Sequence, residues 1–104
     1  MSVNPETLLE RIEAGHPPTV LDVRSRAEFA DGHVPRAIHF PFTDARDRTV
    51  AVPASPQDEI VVYCGHGPRA WIAGAALRRR GFLRVTYLKG HMRGWKKRGL
   101  PEER

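Results

Sequence analysis

A single cysteine, Cys64, is all the thiol chemistry in this chain of 104 residues. That excludes an intrachain disulfide and any metal site built from cysteine alone. Long apolar runs are missing too. The longest span a few residues, such as Ile60–Cys64, far short of the roughly 20 that a helix needs to cross a bilayer. The opening Met1-Ser2-Val3-Asn4-Pro5 has no basic segment leading into an apolar one, so no signal peptide is expected and the predicted compartment is the cytoplasm. Acidic side chains are absent over a long stretch, with no Asp or Glu between Ile60 and Pro101. Residues 1–52 carry 6 basic and 8 acidic side chains, whereas residues 53–104 carry 11 and 4. The second half is therefore cationic, and its field suits small anions, an acidic partner or nucleic acid.

What is present describes an ordinary globular protein, 40% hydrophobic and 28% charged. Its length suits one domain over residues 1–104, able to bury roughly two thirds of its unfolded surface without metal or disulfide. A helix is predicted over Pro5–Ala14, with Asn4 as N-cap, Pro5 at its first position, Gly15 as its stop and Leu8, Leu9 and Ile12 as its apolar stripe. Thr19–Val23 reads as a buried strand. Ser25 and Glu28 have capping-box spacing, which predicts a short helix over Arg26–Asp31 closed by Gly32.

Ala37–Phe40 is a second expected strand, and Thr43–Glu59 a loop with at most one helical turn. Ile60–Tyr63 is a third strand. A helix over Arg69–Arg80 follows, with Ile72, Ala73, Ala76 and Leu77 facing inward. Val85–Leu88 is a further strand and Met92–Arg98 a last short helix. Strands alternating with helices and no hairpin signal predict an α/β fold, a parallel sheet with right-handed crossovers.

The segment Tyr63-Cys64-Gly65-His66-Gly67-Pro68-Arg69-Ala70 puts Cys64 where a buried strand gives way to a helix. In parallel α/β sheets, ligands bind beyond the carboxyl ends of the strands. Gly65 and Gly67 let the backbone curl so that several amides point at one spot. The following helix adds its positive end, and Arg69 a permanent charge. All three effects favour a thiolate, so Cys64 is the expected nucleophile, with a lowered pKa. Pro68 has no N–H, so the cradle has one donor fewer. The bland alternative is a buried structural cysteine.

Cys64-Gly65-His66-Gly67-Pro68-Arg69 resembles the active-site loop of single-domain rhodaneses, Cys-x-x-Gly-x-Arg. The resemblance covers nearly the whole chain. Leu21-Asp22-Val23-Arg24, Glu28-Phe29, Gly32-His33-Val34-Pro35 and Ala37-Ile38 match the family's N-terminal signature. Leu88-Lys89-Gly90, Trp95 and Gly99-Leu100-Pro101 match its C-terminal one. It implies a three-layer sandwich with a central parallel sheet flanked by helices. It also implies transfer of sulfane sulfur through a persulfide on Cys64, cradled by Gly65, His66, Gly67, Arg69 and Ala70. No cofactor is expected beyond that covalent intermediate. With no second cysteine, the persulfide must discharge to an external acceptor: cyanide, a small thiol or a partner protein's cysteine.

Asp22 and Arg24 end the first buried strand and read as scaffold supporting the loop, the alternative being a local ion pair from Arg24 to Glu28. His33 reads as a helix-end hydrogen-bonding residue rather than a catalyst. His39 and His66 stay open between a role at the substrate and a structural or solvent-facing one. His91 departs from the family, which usually has a second glycine after the one matching Gly90. Either the chain avoids the left-handed conformation there, or a side chain now reaches the mouth of the site.

Arg78-Arg79-Arg80 and Lys96-Lys97-Arg98 lie at predicted helix ends, without interleaved aromatics, and read as solvated faces rather than a nucleic-acid surface. No histidine pair has metal-site spacing, so no metal is expected. Two other functions compete with sulfur transfer. A related cell-division-cycle-type phosphatase or arsenate reductase would carry five residues between cysteine and arginine, where Gly65–Pro68 supplies 4. A docking or sensor module would leave Cys64 idle.

Overall fold

The computed structural model describes residues 1–104. Two-residue β1 (Ser2–Val3) leads into α1 (Pro5–Glu13), capped by the Asn4 side chain accepting from the Glu6 amide at 3.0 Å. Then come β2 (Thr19–Asp22), α2 (Arg26–Asp31), β3 (Ile38–His39) and the single turn α3 (Phe42–Ala45). The second half runs β4 (Ile60–Tyr63), α4 (Pro68–Arg79), β5 (Val85–Leu88) and α5 (His91–Lys97). The five strands form one sheet in the order β1-β5-β4-β2-β3, and every pairing is parallel.

Alternation along the strands divides the core between the two faces of the sheet. Val20, Val61 and Tyr63 face Leu8, Ile12, Met92 and Trp95 from α1 and α5. Leu21, Ile60 and Val62 face Ala45 of α3 and Ala70, Ala73, Ala76 and Leu77 of α4. These two packings make the predicted three layers, with β4 buried at all four positions in the middle. Burial on both sides is why β2 and β4 read as continuous apolar runs.

Two details differ from the sequence expectations. Ile72 does not face inward but is 43% exposed, because the buried stripe of α4 runs through Ala70, Ala73, Gly74 and Leu77 and leaves residue 72 on the opposite side. Small residues dominate that stripe because the helix lies close to the sheet; a Cβ on Gly74 would collide with the Tyr87 hydroxyl. Strand β1 carries no readable period in two residues, and it forms by pairing with Tyr87 and Leu88. The stretch after α3 is loop, as expected. The Arg80 guanidinium ties it down by donating to the carbonyls of Asp44, Ala45, Asp47 and Val50.

Candidate functional site at the carboxyl ends of β2 and β4

At the end of β2, Asp22 is fully buried and its carboxylate is completely engaged. It accepts from the Arg24 amide at 3.0 Å, from Arg24 Nη2 at 2.7 Å and from the Tyr63 hydroxyl at 2.8 Å. Arg24 also donates to the Gly32 carbonyl at 2.8 Å. The Tyr63 oxygen in turn accepts the Val34 amide at 3.1 Å. Burial, then the neighbouring Asp22 charge, push the Tyr63 pKa up, so the phenol stays a donor. The alternative reading, a local ion pair from Arg24 to Glu28, fails. Arg24 pairs with Asp22, two residues back on the same strand end, where both charges are buried and each needs the other.

At the end of β4, Cys64 has no exposed surface. Its Sγ accepts from the Gly67 amide at 3.0 Å. Gly67, at φ 135°, takes a conformation closed to residues with a Cβ, and this aims its N–H back at the sulfur. Burial pushes the thiol up, but the neighbouring His91 side chain and hydrogen bonds from the amides of Ala70, Gly67 and His66 outweigh it, and the Cys64 pKa falls from 9.0 to about 7. Half of the sulfur is therefore thiolate near neutral pH.

Arg69 stands differently from expectation. Its guanidinium grips Glu28 of α2 in a two-pronged pair at 2.6 and 3.0 Å, so much of its charge is neutralised before it reaches the sulfur. That hydrogen bond, ahead of the opposing cost of burial, holds the Glu28 carboxyl at about 2. Glu28 also completes the predicted capping box with Ser25, so one carboxylate caps α2 and anchors the cysteine loop. Its capping half was legible in spacing; its second partner, 41 residues away, was not.

The histidines separate cleanly. His33 hydrogen-bonds the Phe29 carbonyl through Nδ1 at 2.8 Å and stacks on the Phe29 ring, the helix-end role expected of it. His39 donates from Nε2 to the Arg24 carbonyl at 2.8 Å, which places it in support of the β2 end. His66 is exposed, and its amide rather than its ring serves Cys64. His91 is 7% exposed, keeps the left-handed backbone at φ 54°, and accepts the Cys64 amide on Nδ1 at 3.2 Å. Of the two alternatives for position 91, the first fails: the special dihedral is retained despite the side chain.

Above the loop lies a cleft of about 310 Å³ lined by Arg24, Gly65, His66, Met92, Arg93 and Lys96. It has no acidic lining residue, so it draws anions toward Gly65 and His66 of the cysteine loop. Other clefts, against α3 and α4, are lined by Arg46, Arg48, Arg79 and Arg80 and contain no nucleophile.

Residues 4–98 fit the rhodanese-like domain. The family match agrees with this architecture. The chain belongs to the rhodanese-like domain family. Among its rhodanese-like relatives, a sulfurtransferase of Allochromatium vinosum is 31% identical, the match covering 95% of this chain and 91% of that one. A chloroplastic thiosulfate sulfurtransferase of Arabidopsis thaliana is 33% identical over 85% of this chain and 80% of its own. The crystal structure of a rhodanese-related protein from Thermoplasma volcanium superposes with a TM-score of 0.80 at 29% identity, covering 98% of this chain and 96% of that one. No helix here is long and apolar enough to cross a membrane.

Proposed function

We propose that this rhodanese-like chain is a sulfurtransferase that carries sulfane sulfur as a persulfide on Cys64, with thiosulfate or a similar small anion as donor. The observation that carries the reading is the Cys64 thiol, held at about 7 by His91 and three loop amides at the end of a buried parallel strand. The thiolate attacks the outer sulfur of thiosulfate. A new S–S bond forms on Cys64, the bond from that sulfur to the sulfonate breaks, and sulfite leaves with the bonding pair. The product, Cys–S–S⁻, keeps one negative charge, and the amides of His66, Gly67 and Ala70 are the donors available to it.

An external nucleophile closes the cycle. Cyanide attacks the terminal sulfur, takes it as thiocyanate and returns the Cys64 thiolate; a small thiol or a partner protein's cysteine would accept it in the same way. A thiolate that must stay reduced between turnovers suits a reducing compartment such as the cytoplasm. The phosphatase reading is weaker on the same geometry. Four residues separate Cys64 from Arg69, Pro68 offers no N–H, and Arg69 is already paired with Glu28. A phosphoryl group would bring three oxygens into a ring whose known donors converge on one sulfur.

The test is direct. Incubated with thiosulfate and desalted, the protein should gain the mass of one sulfur atom, and cyanide should remove it as thiocyanate. An unchanged mass under these conditions, or turnover of p-nitrophenyl phosphate rivalling sulfur transfer, would refute the proposal.

A further inference from the structure

His91 does something at this site that the sheet would otherwise do. Strand β4 gives its amides to β5 in parallel register: the Ile60 amide donates to the Arg84 carbonyl at 2.9 Å, and each rung advances two residues on both strands. Two rungs on, that ladder would join the Cys64 amide to the Leu88 carbonyl. The Cys64 amide goes instead to Nδ1 of His91.

The next two residues continue the hold. The Met92 amide donates to the Cys64 carbonyl at 2.9 Å, and the Arg93 amide to the Gly65 carbonyl at 3.0 Å. Residues 91–93 thus fix three successive peptide groups around the nucleophile. A neutral ring that accepts on Nδ1 carries its proton on Nε2. The φ of 54° is disfavoured for any residue with a Cβ, and such strain persists only where the surroundings over-determine it. Here the ring is buried, and its Nδ1 is the acceptor of the Cys64 amide.

We infer that His91 is a positioning residue for Cys64: its imidazole ends the β4–β5 ladder at the cysteine amide and so sets the turn that converges the loop amides on the sulfur. The inference rests on the sulfurtransferase reading only for its effect on rate. Two variants separate positioning from mere packing. His91→Gly suits the backbone better but removes the acceptor. His91→Asn tolerates positive φ and offers Oδ1 where Nδ1 stood.

In His91→Gly, sulfur loading from thiosulfate should fall about tenfold, and the midpoint of Cys64 alkylation by iodoacetamide should rise by about one pH unit, the scale of one lost hydrogen bond. His91→Asn should stay within about threefold of the parent in loading, since it keeps the acceptor. Parent-like loading and alkylation in His91→Gly would overturn the inference, as would equal impairment of the two variants. Should His91→Gly not fold, the ¹⁵N-labelled native protein gives the answer: a scalar coupling across the hydrogen bond between the Cys64 amide nitrogen and His91 Nδ1 is expected, and its absence overturns the inference. Coupling and alkylation contrast in a protein that takes up no sulfur would instead refute the sulfurtransferase reading and leave the positioning role standing.

Discussion

The ends of β2 and β4 lie side by side in the sheet, and they treat polar groups in opposite ways. At the β2 end, Asp22, Arg24 and Tyr63 satisfy one another, with Gly32 and Val34 taking up further bonds. The Asp22 carboxylate and the Tyr63 phenol are fully committed to that network, and only Arg24 also borders the cleft. At the β4 end, amides from three residues converge on a single sulfur that can give up its proton near neutral pH. A closed polar network makes a rigid wall; an arrangement of donors around one titratable atom makes a reactive centre. The protein builds the second by leaning it on the first, since Tyr63 of the network directly precedes Cys64.

Removing the proposed nucleophile breaks the comparison most completely. Cys64→Ser should lose sulfur uptake and thiosulfate:cyanide activity by at least about 10³-fold, because a serine hydroxyl is not ionised at neutral pH. The β2 wall should be unaffected, which near-parental melting at pH 7 would show. The converse substitution, Asp22→Asn, leaves Arg24 buried without its counter-charge. It should cost about 3 kcal/mol and lower the melting temperature by roughly 15 °C, given about 5 °C per kcal/mol for a domain of this size. Little change in melting would mean that the network carries no net stabilisation.

Arg69 sits between the two regions through Glu28 and sharpens the contrast. Arg69→Ala should slow persulfide formation by about tenfold and move Cys64 alkylation to higher pH, while Arg79→Ala, on an exposed helix face, should change neither. Equal losses from both would point to general steering by positive charge. Glu28 also supplies an acid-sensitive contribution to folding. Its carboxyl is held at about 2 against an ordinary 4.5, so its contribution is full above pH 4.5 and fades as pH falls toward 2. Glu28→Gln should flatten the acid limb of the stability profile in that window, measured by denaturant unfolding. The smallest effect concerns the acid-free stretch from Ile60 to Pro101. The second-order rate with thiosulfate should fall severalfold between low salt and physiological ionic strength, where exposed charges are screened beyond about 8 Å. A flat profile would show that the field is incidental.

Much of the fold was legible because its signals are local. The Asn4 and Ser25 caps, the apolar runs of β2, β4 and β5, and the glycine loop around Cys64 all declare themselves within a few residues. What escaped was pairing across distance. Arg24 and Glu28 have the spacing of an ion pair, yet each finds its partner elsewhere, Arg24 in the buried Asp22 and Glu28 in the half-buried Arg69. The acceptor for the Cys64 amide lies 27 residues downstream, at a position where sequence offered two readings and no means of choosing. Ile72 misled through its hydrophobicity, which says less about orientation than the small-residue stripe beside it.

The end of the chain described here folds back on its first half. His33 and Glu103 exchange backbone hydrogen bonds at 2.9 Å in both directions, and the Glu103 carboxylate accepts the Arg36 amide across 67 residues of sequence. Lys96 pairs with Glu102, which fills the space beside Gly32. Closing so long a loop has a high entropic cost and brings no reward until both ends have met, so this stitch belongs late in folding. The carbonyl of Gly32 is also the one that Arg24 uses. The turn behind the β2 wall is therefore fastened from both sides only when residues 102 and 103 have docked. The His33 amide should accordingly resist hydrogen exchange only in molecules that have completed folding, making it a single-residue clock for the last step.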